Sequence, residues 1–254
     1  MSGLKVPRPE GIGVIYTAGY PRSGNTWLNR LLSDLLSSPL QTLPGEPMEY
    51  FGDAGGKFVI RKTHCREYEA DERQGEEEAQ WVFIQRDPRD VAVSRYFYAN
   101  LPTMAGAIKG LFDRHADYYP NTFHEQGNYE IFIRSWMESD RAVVKTKYET
   151  LHEEPIDELQ RIVTLLRGGP MPVPMIRDKI ERQAFRSIKK RYGDRFGHSM
   201  RKGIAGDWQV WFSRDDGKLI QDGLGDLMLE QGYIDDPDWW QKLPENARMS
   251  RTHA

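Results

Sequence analysis

Residues 14–27 read Val14-Ile15-Tyr16-Thr17-Ala18, then Gly19-Tyr20-Pro21-Arg22-Ser23-Gly24-Asn25-Thr26-Trp27. The first five make a short apolar run. Beyond Trp27, Leu28, Leu31, Leu32, Leu35 and Leu36 recur at i, i+3, i+4, i+7 and i+8, the spacing of an amphipathic helix. Strand, glycine-bearing loop, helix is the layout of a phosphate cradle. Loop N–H groups and the positive end of the helix face the anion together.

The loop also has the spacing of a Walker A motif, Gly19-x4-Gly24, with Thr26 in the Ser/Thr place. Asn25 stands where that motif carries its phosphate-binding lysine. A basic residue comes three positions earlier, at Arg22. The sequence therefore predicts a grip on phosphate unlike that of an ordinary nucleotide hydrolase.

Three further strand candidates lie downstream. Phe58-Val59-Ile60 ends in Arg61-Lys62-Thr63-His64. Trp81-Val82-Phe83-Ile84 runs into Arg86-Asp87-Pro88-Arg89-Asp90. Ala142-Val143-Val144 leads to Lys145-Thr146-Lys147-Tyr148. Pro88 is placed to open a helix that residues 91–98 continue. Residues 153–167 have helical periodicity, with Pro155 near the start and Gly168-Gly169-Pro170 as the stop. Residues 38–57, rich in Pro and Gly, read as irregular loop, and residues 66–79 as a solvated charged stretch. Strands alternating with helices predict an α/β fold. The expectation is a single domain over 1–254 with a mostly parallel central sheet flanked by helices. Residues 1–12 and about 240–254 are expected to be peripheral tails. Ligands of such a sheet collect at the carboxyl ends of the strands, and there Arg22, His64, Arg86 and Tyr148 all fall.

Composition narrows the class. The chain has 254 residues, 29% charged and 39% hydrophobic, which suits one soluble globular α/β domain. A net charge of −3 gives no electrostatic case for nucleic acid. The single cysteine, Cys65, excludes an internal disulfide and fits a reducing cytoplasm. No apolar stretch approaches the roughly 18–20 residues of a membrane span. The N-terminal segment lacks the apolar core of a secretion signal. The six histidines are scattered and Cys65 has no cysteine partner, so no metal-site spacing is present.

Four separated segments carry a family resemblance. Residues 20–27 resemble the P-loop-like 5′-phosphosulfate loop of cytosolic-type sulfotransferases. Residues 86–94, Arg-Asp-Pro-Arg-Asp-Val-Ala-Val-Ser, look like their 3′-phosphate motif. Residues 201–208, Arg-Lys-Gly-Ile-Ala-Gly-Asp-Trp, are similar to their C-terminal Arg-Lys-Gly-x-x-Gly-Asp-Trp motif. Lys62-Thr63-His64 matches the family's catalytic Lys-Thr-His. All four occur in the family's order, and they span residues 20–208.

The resemblance implies a donor, 3′-phosphoadenosine 5′-phosphosulfate (PAPS), leaving adenosine 3′,5′-bisphosphate (PAP). It implies transfer of the sulfuryl group to a hydroxyl of a small-molecule acceptor, with no metal required. A donor phosphorylated at both ends needs two anion sites, and the sequence offers two. One is the loop Arg22, Ser23, Gly24, Asn25, Thr26 and Trp27. The other combines Arg86, Ser94 and Arg201-Lys202-Gly203, whose arginines can hold phosphate oxygens in pairs. By the same resemblance Trp27 and Phe185 pack on adenine and Tyr148 contacts the nucleotide. His64 is expected to take the acceptor proton, its ordinary pKa of about 6.5 suiting a base near neutrality. Lys62 and Arg22 would stabilise charge on the departing phosphate. Asp207 and Trp208 are expected to be structural, the first capping a helix and the second filling core.

The chain also departs from the family. Arg22 stands where lysine is usual, and arginine keeps its proton. Cys65-Arg66 follows the histidine in place of Leu-Pro. The animal members' dimerisation motif is not recognisable in residues 209–218, leaving the oligomeric state open. The acceptor pocket is expected from residues 38–57 and 97–127. The second stretch holds Phe97, Tyr98, Leu101, Met104, Phe112, Tyr118, Tyr119 and Phe123, which suit an apolar or aromatic alcohol or phenol. Two alternatives stand beside this reading: an ATP- and Mg²⁺-dependent P-loop kinase, opposed by Asn25, and a non-catalytic nucleotide-binding protein, opposed by Lys62-Thr63-His64.

Overall fold

The computed structural model describes residues 13–41, 49, 55–67, 70, 79–112, 128–141, 144–184, 187, 190 and 203–246. Five parallel strands form one sheet in the order β2-β3-β1-β4-β5. They are β1 (Gly13–Gly19), β2 (Leu40–Gln41), β3 (Phe58–Thr63), β4 (Gln80–Gln85) and β5 (Val144–Lys147). After β1 the chain passes through α1 (Asn25–Leu35) to β2 and β3 on one side. It then returns to lay β4 against the other side of β1. The connections thus diverge at the carboxyl ends of β1 and β4, the position where open α/β sheets bind ligands.

Alternation along β1 divides the core. Val14, Tyr16 and Ala18 face a cluster that includes Trp81, Phe83, Phe132 and Trp136. Ile15 faces the opposite cluster, with Leu28, Leu31, Leu32, Ile60, Val82 and Ile84. A strand covered on both faces is mostly apolar, and β1 is so except at Thr17, whose buried hydroxyl donates to Asn29 at 2.8 Å. Helices α3 (Met104–Lys109), α4 (Tyr129–Met137), α8 (Trp208–Trp211) and α9 (Arg214–Glu230) cover the first face; α1, α6 (Pro155–Arg167) and α7 (Val173–Arg182) cover the second. The leucine stripe of α1 is fully buried, each side chain contributing roughly 1.5–3 kcal/mol of apolar burial. The polar side of α1 is buried too. Asp34 pairs with Lys179 of α7 at 2.9 Å and accepts from Gln183 at 2.8 Å.

Pro88 opens α2 (Pro88–Tyr98), with Asp87 capping the Arg89 N–H, and Gly168 ends α6 in the left-handed conformation. Other expectations change. The loop at 38–57 supplies β2, two residues paired with β3. The last strand runs into the polar stretch Lys145-Thr146-Lys147, while residues 142–143 lie outside the described residues. As the edge strand, β5 keeps its lysine stems along the protein and ties the ammonium groups to the carbonyls of Met137 and Gln231. Of the expected C-terminal tail, residues 240–246 are described and 247–254 lie outside the described residues. Trp240 and Leu243 pack on the core, and the Pro244 carbonyl accepts from the Arg214 N–H at 2.7 Å. Residues 1–12 lie outside the described residues. Among the described residues no helix is long and apolar enough to cross a membrane.

Candidate active site

The loop after β1 turns tightly. The Ser23 N–H donates to the Tyr20 carbonyl at 3.0 Å, and both Arg22 and Gly24 have positive φ, 74° and 88°. Gly24 is needed as glycine: a Cβ there would lie 2.4 Å from the ring of Tyr148. Helix α1 starts at the next residue, so its first N–H groups end in this loop. The Asn25 side chain turns inward and donates to the Thr17 carbonyl of β1 and the Thr63 carbonyl of β3, at 3.1 and 3.0 Å. It fastens two strand ends. Only its backbone is left to face an anion, which narrows the binding role expected from its sequence position.

The register of β3 against β1 brings Lys62 and His64 to this loop. Lys62 Nζ donates to Thr26 Oγ1 at 3.1 Å. Burial, then the neighbouring Arg22 charge, lowers Lys62 from its ordinary 10.5 to about 8. His64 Nδ1 lies 2.6 Å from the Gly19 carbonyl oxygen. A carbonyl only accepts, so Nδ1 carries the proton, and in the neutral ring Nε2 is the basic nitrogen.

Arg86, just past β4, is held from several sides. Its Nη1 donates to the Arg22 carbonyl at 3.3 Å and its Nη2 to the Ile204 carbonyl at 2.8 Å. Asp90 lies 3.5 Å from Nη2, and the Tyr148 ring lies 4.1 Å from the guanidinium carbon. Asp90 also accepts the N–H groups of Gly206 and Trp208 at 2.8 and 3.1 Å, fastening residues 204–208 beside Arg86. The Arg22 side chain crosses to α2. Its Nε donates to Ser94 Oγ at 3.1 Å, and its guanidinium lies 4.1 Å from the centre of the Tyr98 ring.

The buried polar atoms of this region that make no hydrogen bond within the described structure include two that could donate to an anion, Ser23 Oγ and Arg86 Nε. A buried polar group left unpaired costs about 1–3 kcal/mol, and a bound anion would supply acceptors for both. The site is therefore a row of cations and loop N–H groups along three strand ends, with one imidazole among them.

Residues 56–232 match the sulfotransferase domain family. The chain belongs to that family. Among curated relatives, sulfotransferase 1A1 of Bos taurus is 25% identical over 235 residues, 80% of this chain and 79% of that protein. Sulfotransferase 1B1 of Mus musculus is 22% identical over 235 residues, 79% of this chain and 78% of that protein. Two solved structures share the fold. A mouse sulfotransferase complexed with PAP gives a TM-score of 0.63 at 20% identity, covering 91% of this chain and 88% of that one. Retinol dehydratase with androsterone and inactive cofactor PAP gives 0.59 at 16% identity, covering 85% and 80%.

In this sulfotransferase domain Arg22, Thr26, Lys62, His64, Arg86, Ser94 and Tyr148 converge at the strand ends. Trp27 is partly buried and meets the Tyr148 ring edge-on at 5.8 Å. Gly203 lies by α5 (Tyr148–Glu153), its carbonyl 2.8 Å from His152 Nε2. Phe185, Arg201 and Lys202 lie outside the described residues. Asp207 departs from expectation: its side chain makes no cap bond and accepts instead from the Trp211 indole at 3.1 Å. Trp208 does pack in the core, where Arg89 lies over its ring at 3.9 Å. Asp90 was missed as the anchor of residues 206–208. Its place in the Arg-Asp-Pro-Arg-Asp run was the available signal. Among the described residues, no three His, Cys, Asp or Glu side chains gather as a metal-binding set.

Proposed function

We propose that the chain moves the sulfuryl group of PAPS to a hydroxyl of a small-molecule acceptor, with His64 as general base. The observation that carries this reading is the His64–Gly19 contact. It fixes the tautomer whose Nε2 accepts a proton, on the residue that follows β3, beside the phosphate loop. The acceptor oxygen forms a bond to sulfur as its proton passes to Nε2. The bond between sulfur and the 5′-phosphate oxygen breaks, and that oxygen keeps the electron pair. Lys62 and Arg22 stabilise the charge that collects there. The PAP named in the related structures supports this donor for the present chain. So do the unpaired Ser23 Oγ and Arg86 Nε, which suit an anionic ligand.

Arg86 is assigned to the 3′-phosphate, with Ser94 and Arg201-Lys202-Gly203 completing that site. Trp27, Tyr148 and Phe185 are assigned to the nucleoside. The test is PAPS turnover together with binding of PAP and of 5′-AMP. PAP is expected to bind at least tenfold tighter, about 1.4 kcal/mol, and Arg86→Ala to erase most of that margin. His64→Ala is expected to cut turnover roughly 10²–10⁴-fold with PAP affinity nearly intact. Wild-type turnover in that variant would remove His64 from the proton's path. Equal affinity for the two nucleotides in the wild type would remove Arg86 from the 3′-phosphate.

A further inference from the structure

The peptide that carries Arg86 is held at both of its ends, by one buried and one half-buried side chain outside the family motifs. The Tyr129 hydroxyl, on α4, donates to the Arg86 carbonyl. Glu149 Oε1, on α5, accepts the N–H of Asp87 at 2.9 Å. Glu149 directly follows Tyr148, whose ring stacks on the Arg86 guanidinium. One turn of helix thus touches both the backbone and the side chain of this arginine. The other carboxylate oxygen, Oε2, is buried without a partner, as is the hydroxyl of Tyr233. We propose that Glu149 is a positioning residue for the donor's 3′-phosphate. By holding the Asp87 N–H it fixes where the Arg86 guanidinium stands. This rests on the assignment of Arg86 to that phosphate.

The arrangement has an electrostatic consequence. Burial pushes Glu149 up to about 7; the N–H groups of Asp87 and of Glu149 itself oppose the rise, the Asp87 charge adds to it, and the Arg86 charge opposes it. The other titratable groups coupled to it are Tyr129, Tyr148 and Tyr233. A carboxylate near Arg86 competes with a bound phosphate for the same positive charge. PAP therefore binds best when Glu149 is protonated, and its affinity falls as pH rises through about 7. Bound phosphate titrates in the same range, so the measurement has to be a comparison with a glutamine at position 149, which keeps the acceptor and lacks the charge.

The experiment is calorimetric binding of PAP and of 5′-AMP to wild type, Glu149→Ala and Glu149→Gln, at about pH 6 and about pH 8. Glu149→Ala is expected to lose about tenfold in PAP affinity and less than threefold in 5′-AMP affinity. Glu149→Gln is expected to stay within threefold of wild type at about pH 6 and to bind PAP more tightly than wild type at about pH 8. Equal losses for both ligands in Glu149→Ala would mean a general structural role and overturn the proposal. So would a Glu149→Gln variant that follows the wild-type pH dependence, an outcome that can be read even if the alanine variant does not fold. A wild type without preference for PAP over 5′-AMP would instead overturn the Arg86 assignment, and the proposal with it.

Discussion

Arg22 is held at φ 74°, a conformation that costs a residue with a Cβ roughly 1–2 kcal/mol. Glycine adopts it freely, so the arginine is kept for what its side chain does. That side chain donates to Ser94, lies over Tyr98 and depresses Lys62. Replacing Arg22 by Gly, Met and Lys separates backbone from charge. In Arg22→Gly the relieved backbone offsets a hydrogen bond of about 0.5–1.5 kcal/mol and a cation–π contact of about 0.5–1. Unfolding free energy is then expected within about 1 kcal/mol of wild type. Turnover is expected to fall about 10²–10³-fold in Arg22→Gly and Arg22→Met, as when one preorganised donor is lost. Arg22→Lys is expected to keep substantial activity. Donor affinity changes less than turnover, because charge on the leaving oxygen grows only in the transition state. A second signature comes from Lys62. Burial is the larger cause of its fall from 10.5 to about 8, so the Arg22 charge accounts for less than half. Removing that charge moves the alkaline limb of the rate profile up by about one pH unit or less. The assay is kcat and PAP Kd against pH for the four proteins. An Arg22→Met variant that turned over like wild type would leave the departing phosphate to Lys62 alone. The loop would then be a binding element only.

Two further outcomes test the architecture beneath the site. Asn25→Ala removes three buried side-chain hydrogen bonds, those to the Thr17 and Thr63 carbonyls and the one from Asn29, so it should cost about 2–4 kcal/mol and lower Tm by about 5–15 °C; a change of a degree or two in a thermal melt would show that the two strand ends do not depend on it. Lys62 is lowered to about 8, so below that pH the fold bears the cost of a partly buried charge, and between about 8 and 10.5 the unfolded chain holds a proton the folded one has lost. Lys62→Met should therefore gain about 1–2 kcal/mol at neutral pH in denaturant unfolding, with the gain shrinking as pH rises toward 10.5; a gain independent of pH would contradict the assignment.

The part of the fold that was legible in the sequence is the part with strict periodicity or hard stops. The apolar run before Gly19, the leucine spacing of α1, Pro88 and the Gly168 stop each mark an element that is present. What was not legible depends on tertiary contact. β2 is two residues long and exists because β3 offers an edge. β5 reads as polar because its lysines find carbonyls that no local pattern announces. Helix α9 carries Gly217, Gly223 and Gly225, which argue against a helix locally. In the fold Gly217 and Gly223 admit Trp240 with Leu243, and Phe112, at distances a Cβ would close. The site divides the same way. Its cations stand in motifs; Asp90 does too, but its role and that of Glu149 are to hold backbone N–H groups contributed by other segments, which no local pattern announces.

The substitution that first separates this loop from a Walker A motif follows from the packing of α1. Position 25 is buried, and its side chain fills the gap between the ends of β1 and β3. Asn29 reinforces it, donating to both the Asn25 carbonyl and Oδ1 and accepting from Thr17 Oγ1. A lysine here would have to carry its ammonium out of that gap, leaving two strand carbonyls unpaired, or bury it there at a larger cost. Under the proposed function the cations for the anion come from neighbours, Arg22 from before the glycine and Lys62 from β3. They are not equivalent. Arg22 remains charged at any pH the fold tolerates, whereas Lys62, near 8, exchanges its proton within the working range. The loop thus pairs a fixed charge with a titratable one, and under the proposed mechanism the alkaline limb of the rate profile is expected to follow Lys62.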